Sequence, residues 1–193
     1  VLYVGSDNGL YVSFDTGETW NSFSNGIPSV AVHDLVIQPD AKEMIVATHG
    51  RSLYKASVAL IQQMTPTVLT KNLHLFKVED IQHSDRWGTA RYGRPNTPGL
   101  DIHFYATKAG DFSAKIMTMN HTEVSSVAVT GEKGFNVLSY DVAFSKQGKS
   151  NYLKKNKVKL VAANDGKTYL PKGSYKIQVI GNGNSEEIKF EIK

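Results

Sequence analysis

The octet Ser13–Trp20 places five chemically specific residues at fixed offsets, and it constrains the fold of this chain more than any other stretch. Asp and Ser side chains can hydrogen-bond to backbone N–H groups two residues further on, and a glycine at position 17 tolerates a positive φ angle. The run Gly9–Val12 has the composition of a strand, and Thr19 and Trp20 lead out of the octet. The octet therefore predicts the tip of a β-hairpin, with the indole of Trp20 folded back over the turn.

Five residues of the octet, Ser13, Asp15, Gly17, Thr19 and Trp20, resemble the Asp-box pattern S-x-D-x-G-x-T-W. This pattern is found in the β-propellers of sialidases, sortilin-like proteins and xyloglucanase-type glycoside hydrolases. In those families the Asp-box lies away from the active site, so the resemblance implies a structural role for these five residues. A single carboxylate in a turn also lacks the partners that acid–base catalysis or metal binding needs. We therefore expect no catalytic residue, no metal site and no cofactor.

An internal repeat includes the octet. Two strand-like segments within residues 2–13 are echoed by two within residues 44–56, and the equivalent valines Val4 and Val46 are 42 residues apart. A period of this length is typical of a four-stranded propeller blade. An alternating apolar run before the second copy supplies its innermost strand. The sequence therefore predicts about one and a half propeller blades in residues 1–58.

The pattern changes after the second copy. Thr65 has the character of a helix N-cap and Pro66 of a first helical residue, so a short helix is expected up to Lys71. Residues 48–54 and 62–69, followed by residues 74–76, resemble the end of the propeller in secreted bacterial Asp-box, sortilin-like proteins, which are often labelled glycosyl hydrolases. In those proteins a C-terminal β-sandwich follows the propeller.

Residues 100–193 contain seven β-rich runs separated by turns rich in Gly, Asn, Asp and Lys. The runs are 100–107, 112–119, 124–130, 135–144, 157–162, 174–181 and 186–193. Seven short strands predict an immunoglobulin-like β-sandwich, and residues 134–141 and 170–177 resemble two signature stretches of the same family's tail. The expected fold class is all-β: a partial β-propeller in residues 1–58, a joint with a short helix and an aromatic-basic loop in 59–99, and a β-sandwich in 100–193.

Charge and composition narrow the classes of partner. The net charge of +4 is uneven, because residues 1–60 carry three more acids than bases and residues 61–193 carry seven more bases than acids. No block of five or six basic residues is present, so the excess of bases predicts a solvated surface and no nucleic-acid partner.

The absence of cysteine excludes disulfides and thiolate zinc sites, but it does not determine the cellular compartment of the protein. No apolar run approaches the roughly 18–20 residues of a membrane span, and the strand-like start at Val1, without a leader, predicts a fragment of a longer chain.

The irregular segment 83–95 combines aromatic and basic side chains, among them Arg86, Trp87, Arg91 and Tyr92. Long irregular segments are often functional; here the aromatic rings could stack on a sugar or base and the arginines could hold a carboxylate or phosphate. Alternatively, the segment crosses from the joint to the sandwich and holds the two domains together by burying its aromatic rings. We favour the second interpretation, which predicts that Trp87 is largely buried between the propeller part and the sandwich.

The resemblance implies two possible functions. In the first, the parent protein is a secreted, periplasmic or cell-surface bacterial protein that cleaves or binds glycans on its propeller, and this non-catalytic part braces the ring or presents it to a polymer. The alternative is a sortilin-like module that binds peptides or proteins. The expected partners are the missing propeller blades of the parent chain, a glycan and, because isolated propeller strands leave unpaired edges, a second copy of residues 1–58.

Overall fold

Apolar and polar side chains alternate along much of the chain, which favours strands, and the protein folds as an all-β molecule, as expected. The computed structural model describes residues 1–23, 26–91 and 93–193. Within these residues the strands form several antiparallel sheets, none of which is closed. The chain divides into two units, Val1–Thr70 and Lys71–Lys193, and each unit has its own apolar core.

The first unit contains two three-stranded antiparallel sheets. Its strands are β1 (Leu2–Ser6), β2 (Gly9–Ser13), β3 (Asn21–Ser22), β4 (Val32–Gln38), β5 (Glu43–Thr48) and β6 (Leu53–Ser57). The strand orders are β1-β2-β3 and β4-β5-β6. The octet does join a hairpin, because β2 pairs with β3 in a register that places Val12 opposite Asn21. The strands predicted for both copies of the repeat are confirmed.

The two sheets of the first unit share one core. Leu10 of β2 lies in the same buried cluster as Met44 and Val46 of β5. Gly5 of β1 lies close to β4, since a Cβ atom at this position would stand 2.6 Å from the Cγ1 atom of Val32. A side chain here would therefore force the two sheets apart.

The outer faces of both sheets carry exposed apolar side chains. Val36 lies directly opposite Ile45, and Leu53 shares their face of the second sheet. Val36 and Leu53 are 60% and 68% exposed. On the first sheet Leu2 and Val4 are also exposed, on the face opposite the buried side chains. The period-two alternation of strands thus leaves an apolar surface on each side of the shared core.

The short helix that the sequence predicts is present as α1 (Pro66–Leu69), which follows a 3-10 turn at Ile61–Gln63. The hydroxyl of Thr65 accepts a hydrogen bond from the backbone N–H of Val68 at 3.3 Å, as an N-cap does. The helix ends at Leu69, two residues before the expected end at Lys71.

The second unit contains two larger sheets and one small hairpin. Its strands are β7 (Leu73–Leu75), β8 (Ala90–Arg91), β9 (Arg94–Pro95), β10 (Leu100–Ala106), β11 (Gly110–Thr118), β12 (Glu123–Gly131), β13 (Gly134–Tyr140), β14 (Gly173–Gly181) and β15 (Asn184–Ile192). The sheets have the orders β7-β10-β13, β12-β11-β14-β15 and β8-β9. Ile102 and Phe104 of one large sheet share a fully buried core with Phe112, Ile116 and Ile177 of the other.

One predicted strand is wrong. Residues 157–162 form no strand, and Val158 and Val161 of this segment are exposed. The alternation there comes from lysines between solvated apolar residues, so it does not mark a buried face. A strand that was not predicted, Leu73–Leu75, pairs with β10, although the sequence had assigned these residues to the joint. The predicted run 135–144 also ends earlier, at Tyr140.

The helix α2 (Lys146–Lys155) was not predicted from the sequence. Ser145 caps it by accepting a hydrogen bond from the backbone N–H of Gly148 at 2.9 Å. A Cβ atom at position 148 would stand 1.8 Å from the carbonyl oxygen of Val124 in β12. The helix is therefore held by close backbone contact with a strand, a contact that leaves no apolar periodicity in the sequence.

The side chain of Glu186 links the two large sheets. Its carboxylate accepts hydrogen bonds from Lys71 Nζ at 2.6 Å and from the backbone N–H of Leu75 at 2.8 Å. Burial alone would raise the pKa of Glu186, but these two hydrogen bonds hold it below its ordinary value. Glu186 lies in β15 and Leu75 in β7, so one carboxylate ties an edge of each sheet together.

Candidate functional site

The turn at residues 13–20 is built around one carboxylate. Asp15 Oδ1 accepts hydrogen bonds from Ser13 Oγ at 2.8 Å and from the Thr19 backbone N–H at 2.9 Å, and Oδ2 accepts one from the Thr19 hydroxyl. The Ser13 hydroxyl in turn accepts a hydrogen bond from the backbone N–H of Gly17 at 2.8 Å. The bond from the Thr19 hydroxyl, followed by the other two, lowers the pKa of Asp15 to about 2.

Glycine at position 17 suits the backbone of the turn, and the indole of Trp20 lies beside it. Its φ angle is +101°, and Thr16 before it has a φ angle of +61°. A Cβ atom on Gly17 would stand 3.7 Å from Cζ2 of Trp20, so the indole lies against the turn. In the described residues, all the hydrogen bonds of the Asp15 side chain stay within the turn.

The second candidate region is the aromatic-basic loop. Trp87 is only 8% exposed and belongs to the apolar core of the second unit. Its ring lies 4.8 Å from that of His83 and 5.7 Å from that of Tyr169, measured between centroids. Trp87 is therefore buried within the core of its own unit, to which both aromatic neighbours also belong, and its predicted position between the two domains stays a prediction.

The structure describes the remaining candidate residues of the loop only in part. Arg86 is exposed, and its carbonyl oxygen accepts hydrogen bonds from the backbone N–H and the hydroxyl of Thr89, at 3.1 and 2.6 Å. Arg91 is the last residue of β8. Tyr92 lies outside the described residues.

A surface cleft of about 370 Å³ opens beside Trp87. Its polar lining comes from two separate segments, with Ser84, Asp85 and Thr89 on one and Asn164 on the other, and Trp87 and Tyr169 supply aromatic surface. The two segments meet at Gly88, where a Cβ atom would stand 2.5 Å from the Cβ atom of Ala163. The positive φ angle of Gly88, +75°, and its lack of a side chain both permit this contact.

The phenol of Tyr169 is fixed in place. It donates a hydrogen bond to Asp165 Oδ2, and Asp165 Oδ1 accepts another from the backbone N–H of Lys167 at 3.0 Å. Burial and the bond to Asp165 raise the pKa of Tyr169 above its ordinary value, and the same bond lowers the pKa of Asp165. The ring therefore stays neutral and oriented near neutral pH.

The chemistry available in the cleft is that of binding. His83 Nδ1 stands 3.7 Å from Asp85 Oδ1, but the Asp85 side chain is fully exposed, so it does not orient the imidazole firmly. Among residues 1–23, 26–91 and 93–193, no group of three His, Asp or Glu side chains could hold a metal ion. Aromatic rings beside hydroxyl and amide groups can instead contact the apolar face and the hydroxyls of a ring-shaped ligand.

Sequence reasoning missed part of this cleft. Tyr169 and Asn164 follow Trp87 by more than seventy residues, and no spacing or motif connects them to the loop. They come together because the chain returns to the loop after α2. A pair of histidines is also brought together in the first unit, where His33 and His49 stack with ring centroids 5.2 Å apart.

Within the described part of the chain, no helix has both the length and the apolar character needed to cross a membrane.

Comparisons with known proteins give little. No family model matches the chain, and no curated protein matches its sequence. Among solved structures, one match is the β-glucosidase EmGH1 from Erythrobacter marinus, determined at 2.3 Å, with 12% identity and a TM-score of 0.30. The match covers 63% of this chain, which spans only 15% of the length of that enzyme. A TM-score this low indicates neither a shared fold nor a shared function.

Proposed function

We propose that this chain is part of a secreted bacterial Asp-box propeller protein that is glycoside-hydrolase-like or carbohydrate-binding, and that the chain itself is a non-catalytic accessory region. In this proposal the first unit belongs to the propeller, and the second unit is an immunoglobulin-like sandwich that holds a glycan. The observation that carries the binding role is the cleft beside Trp87, where aromatic and hydrogen-bonding side chains converge.

The propeller assignment of the first unit is supported by its sheets and their outer faces. In a propeller, successive blades are meandering sheets, and the ring encloses all but short strand edges. The two sheets here meander and share one core, and apolar side chains remain exposed on both outer faces, around Val36 and Leu53 on one and Leu2 and Val4 on the other. Further blades of the parent chain would cover these two faces. The bonds of Asp15 suit an Asp-box in the turn between β2 and β3.

The immunoglobulin-like assignment of the second unit is supported by its strand order and by one tyrosine. Seven strands in a three-stranded and a four-stranded sheet, packed over a common core, suit such a sandwich. Tyr175, near the start of β14, donates a hydrogen bond from its hydroxyl to the carbonyl oxygen of Pro171, four residues earlier, at 2.8 Å. A tyrosine that bonds back to the preceding backbone at a strand start is a frequent feature of these folds.

The cleft suits a neutral sugar better than a charged one. A pyranose ring has apolar C–H faces that pack on aromatic surface and hydroxyls that exchange hydrogen bonds with amides and alcohols. Asn164, Ser84 and Thr89 supply such groups, and Tyr169 and Trp87, which also line the cleft, supply the aromatic surface. The exposed carboxylate of Asp85 disfavours an anionic ligand at this position.

The proposal is tested by titrating the chain with neutral oligosaccharides. The sequence has two tryptophans, so in a Trp20→Phe variant the indole emission reports on Trp87 alone. We expect a saturable change in this emission, and we expect the additional substitutions Ser84→Ala and Asn164→Ala to weaken it about tenfold, since each removes a hydrogen-bonding group. Substitutions Ser150→Ala and Asn151→Ala, on α2 and outside the cleft lining, are the matched control and should leave the titration unchanged.

Three outcomes would decide against this function. The absence of any saturable response to neutral oligosaccharides would contradict the glycan role. A response to unstructured peptides in its place would favour the sortilin-like alternative. Equal effects of the cleft and control variants would show that the emission change does not arise in the cleft.

A further inference from the structure

A second groove, of about 270 Å³, lies in the second unit where three segments meet: the turn between β11 and β12, the end of α2 and the start of β14. Its lining has no residue in common with the cleft beside Trp87. Neither the motifs of the sequence nor the proposed function uses it. The groove is a separate place at which a ligand could bind.

The floor of the groove is rigid. Thr122 and Tyr175 line it and are buried, with exposures of 5% and 3%. Two hydrogen bonds close the turn between β11 and β12, both 2.9 Å long. The Thr118 backbone N–H donates to the Thr122 carbonyl, and the His121 backbone N–H donates to the Thr118 carbonyl. A groove whose walls are held by such bonds is formed before any ligand arrives, which lowers the entropic cost of binding.

Two lysines, Lys155 and Lys172, line this groove, and both residues are exposed. Five other lysines pair with carboxylates at 2.6–2.8 Å, whereas these two make no ion pair within the described residues. Among the residues that the structure describes, no Asp or Glu lines the groove. Its positive charge is therefore not neutralised by the protein itself.

At the end of α2, the hydrogen-bond partner of the Tyr152 carbonyl is Asn156 and neither of these lysines. The carbonyl oxygen of Tyr152 already accepts hydrogen bonds from both the backbone N–H and the side-chain amide of Asn156, each at 2.9 Å. This leaves Oδ1 of Asn156 as an acceptor at the groove, where Asn120 and Ser174 add an amide and a hydroxyl. The lining thus pairs two cations with several neutral hydrogen-bonding groups.

The surrounding surface reinforces the positive charge. Residues 142–164 contain six lysines and no acidic residue. Charges of one sign near a concave surface raise the local concentration of ions of the opposite sign.

We propose that this groove binds an acidic sugar unit of an anionic polysaccharide. Its carboxylate or sulfate group lies between Lys155 and Lys172, and its hydroxyls bond to Asn120, Asn156 and Ser174. Charge-assisted hydrogen bonds from the two ammonium groups supply most of the affinity, and the neutral groups select a polyhydroxylated ligand.

The lining favours this ligand over other polyanions. Single-stranded nucleic acids bind through aromatic rings on which their bases stack, but here Tyr175 is buried and the ring of Tyr152 packs 5.1 Å from that of Phe144. In the described structure no arginine, the residue most suited to phosphate, lines the groove. A lipid surface requires an apolar patch, and Met119 is the one exposed apolar side chain in the described lining.

The test is a calorimetric titration of the full chain with polygalacturonate at an ionic strength of about 0.15 M, where diffuse surface attraction is largely screened. We expect binding that the double variant Lys155→Gln/Lys172→Gln weakens at least about tenfold, since two charge-assisted hydrogen bonds are lost. The double variant Lys154→Gln/Lys157→Gln has the same net charge, alters exposed residues of the same segment, and lies outside the groove lining. We expect it to bind about as well as the unchanged chain.

Several results would overturn this proposal. The absence of binding to both polygalacturonate and a sulfated polysaccharide would do so. An equal loss of affinity in both double variants would also do so, because it would indicate diffuse electrostatic attraction. Tighter binding to a single-stranded oligonucleotide or to phosphatidylserine vesicles, with the same dependence on Lys155 and Lys172, would assign the groove to another polyanion. The neutral oligosaccharide titration of the other cleft is independent of these results, so failure of one proposal is distinguishable from failure of the other.

Discussion

The carboxylate of Asp15 accepts three hydrogen bonds from residues within four positions of it, and it does so at the surface of the first unit. Each of these bonds favours the ionised form, which is why the pKa of Asp15 falls from 3.8 to about 2. The same preference makes the turn more stable when the carboxylate is charged. At the scale of the residue, the pKa of Asp15 therefore reports whether the turn at Ser13–Trp20 is folded.

The first prediction concerns the pH dependence of this contribution. The folded pKa of about 2 lies below the ordinary value of 3.8, so the stabilisation is fully present above pH 3.8 and is lost as the pH falls towards 2. The melting temperature of Asp15→Asn should therefore lie below that of the unchanged chain at neutral pH, and the gap should close between these two pH values. Thermal melts monitored by circular dichroism measure it, with the exposed neighbour change Glu18→Gln as control. A gap that does not depend on pH would contradict the assignment.

The hydroxyl of Tyr175 allows a second prediction at the same scale. Its hydrogen bond to the carbonyl oxygen of Pro171 is 2.8 Å long, and the residue is 3% exposed. Tyr175→Phe leaves that carbonyl without its partner and should lower the free energy of unfolding by about 1–2 kcal/mol. Chemical denaturation measures the change. Tyr152→Phe, whose hydroxyl makes no hydrogen bond in the described structure, should cost less, and equal losses would count against the role given to this bond.

At the scale of the element, α2 shows a helix placed by a strand. Its sequence has few apolar residues, yet Gly148 lets the helix backbone rest against β12, and Ser145 both caps the helix and donates its backbone N–H to the Val124 carbonyl at 3.0 Å. A helix of this kind is stable because of its tertiary contacts.

The third prediction follows from that contact. Alanine in place of glycine within a helix usually stabilises by about 1 kcal/mol, but at position 148 the added Cβ atom would stand 1.8 Å from a backbone oxygen. Gly148→Ala should therefore destabilise the second unit by about 2 kcal/mol or more, because the helix must move off the strand. Denaturation curves measure the loss. The exposed neighbour change Gln147→Ala should be neutral or slightly stabilising, and a stabilised Gly148→Ala would refute the close packing of helix and strand.

At the scale of the whole molecule, the two units differ in how well they cover their apolar residues. The second unit encloses a large core between two sheets. The first unit has a smaller shared core and leaves apolar side chains exposed on both outer faces. Small β units with open edges and apolar faces tend to associate.

The fourth prediction is that the chain associates with itself through the first unit unless other blades cover it. Light scattering over a concentration series should show species larger than a monomer. The double variant Val36→Thr/Leu53→Thr should shift the distribution towards monomer, because it makes one outer face more polar. The variant Val158→Thr/Val161→Thr alters exposed valines of the second unit and should have no effect. A monodisperse monomer at every concentration, with the first unit folded, would rule out this association.

The features that the sequence determined are those whose interactions close within a few residues. The turn at Ser13–Trp20, the strands of the repeat and the start of α1 at Thr65 all depend on hydrogen bonds or alternation that local sequence contains. Tertiary structure decided the rest. Leu73–Leu75 is a strand because it pairs with β10, whereas residues 157–162 form no strand although their apolar residues alternate. Likewise α2 depends on a backbone contact with β12, and the cleft depends on the return of Tyr169 to Trp87, 82 residues after it. Such pairings are set by competition among distant segments for the same edges and core, and no local pattern of residues encodes the outcome.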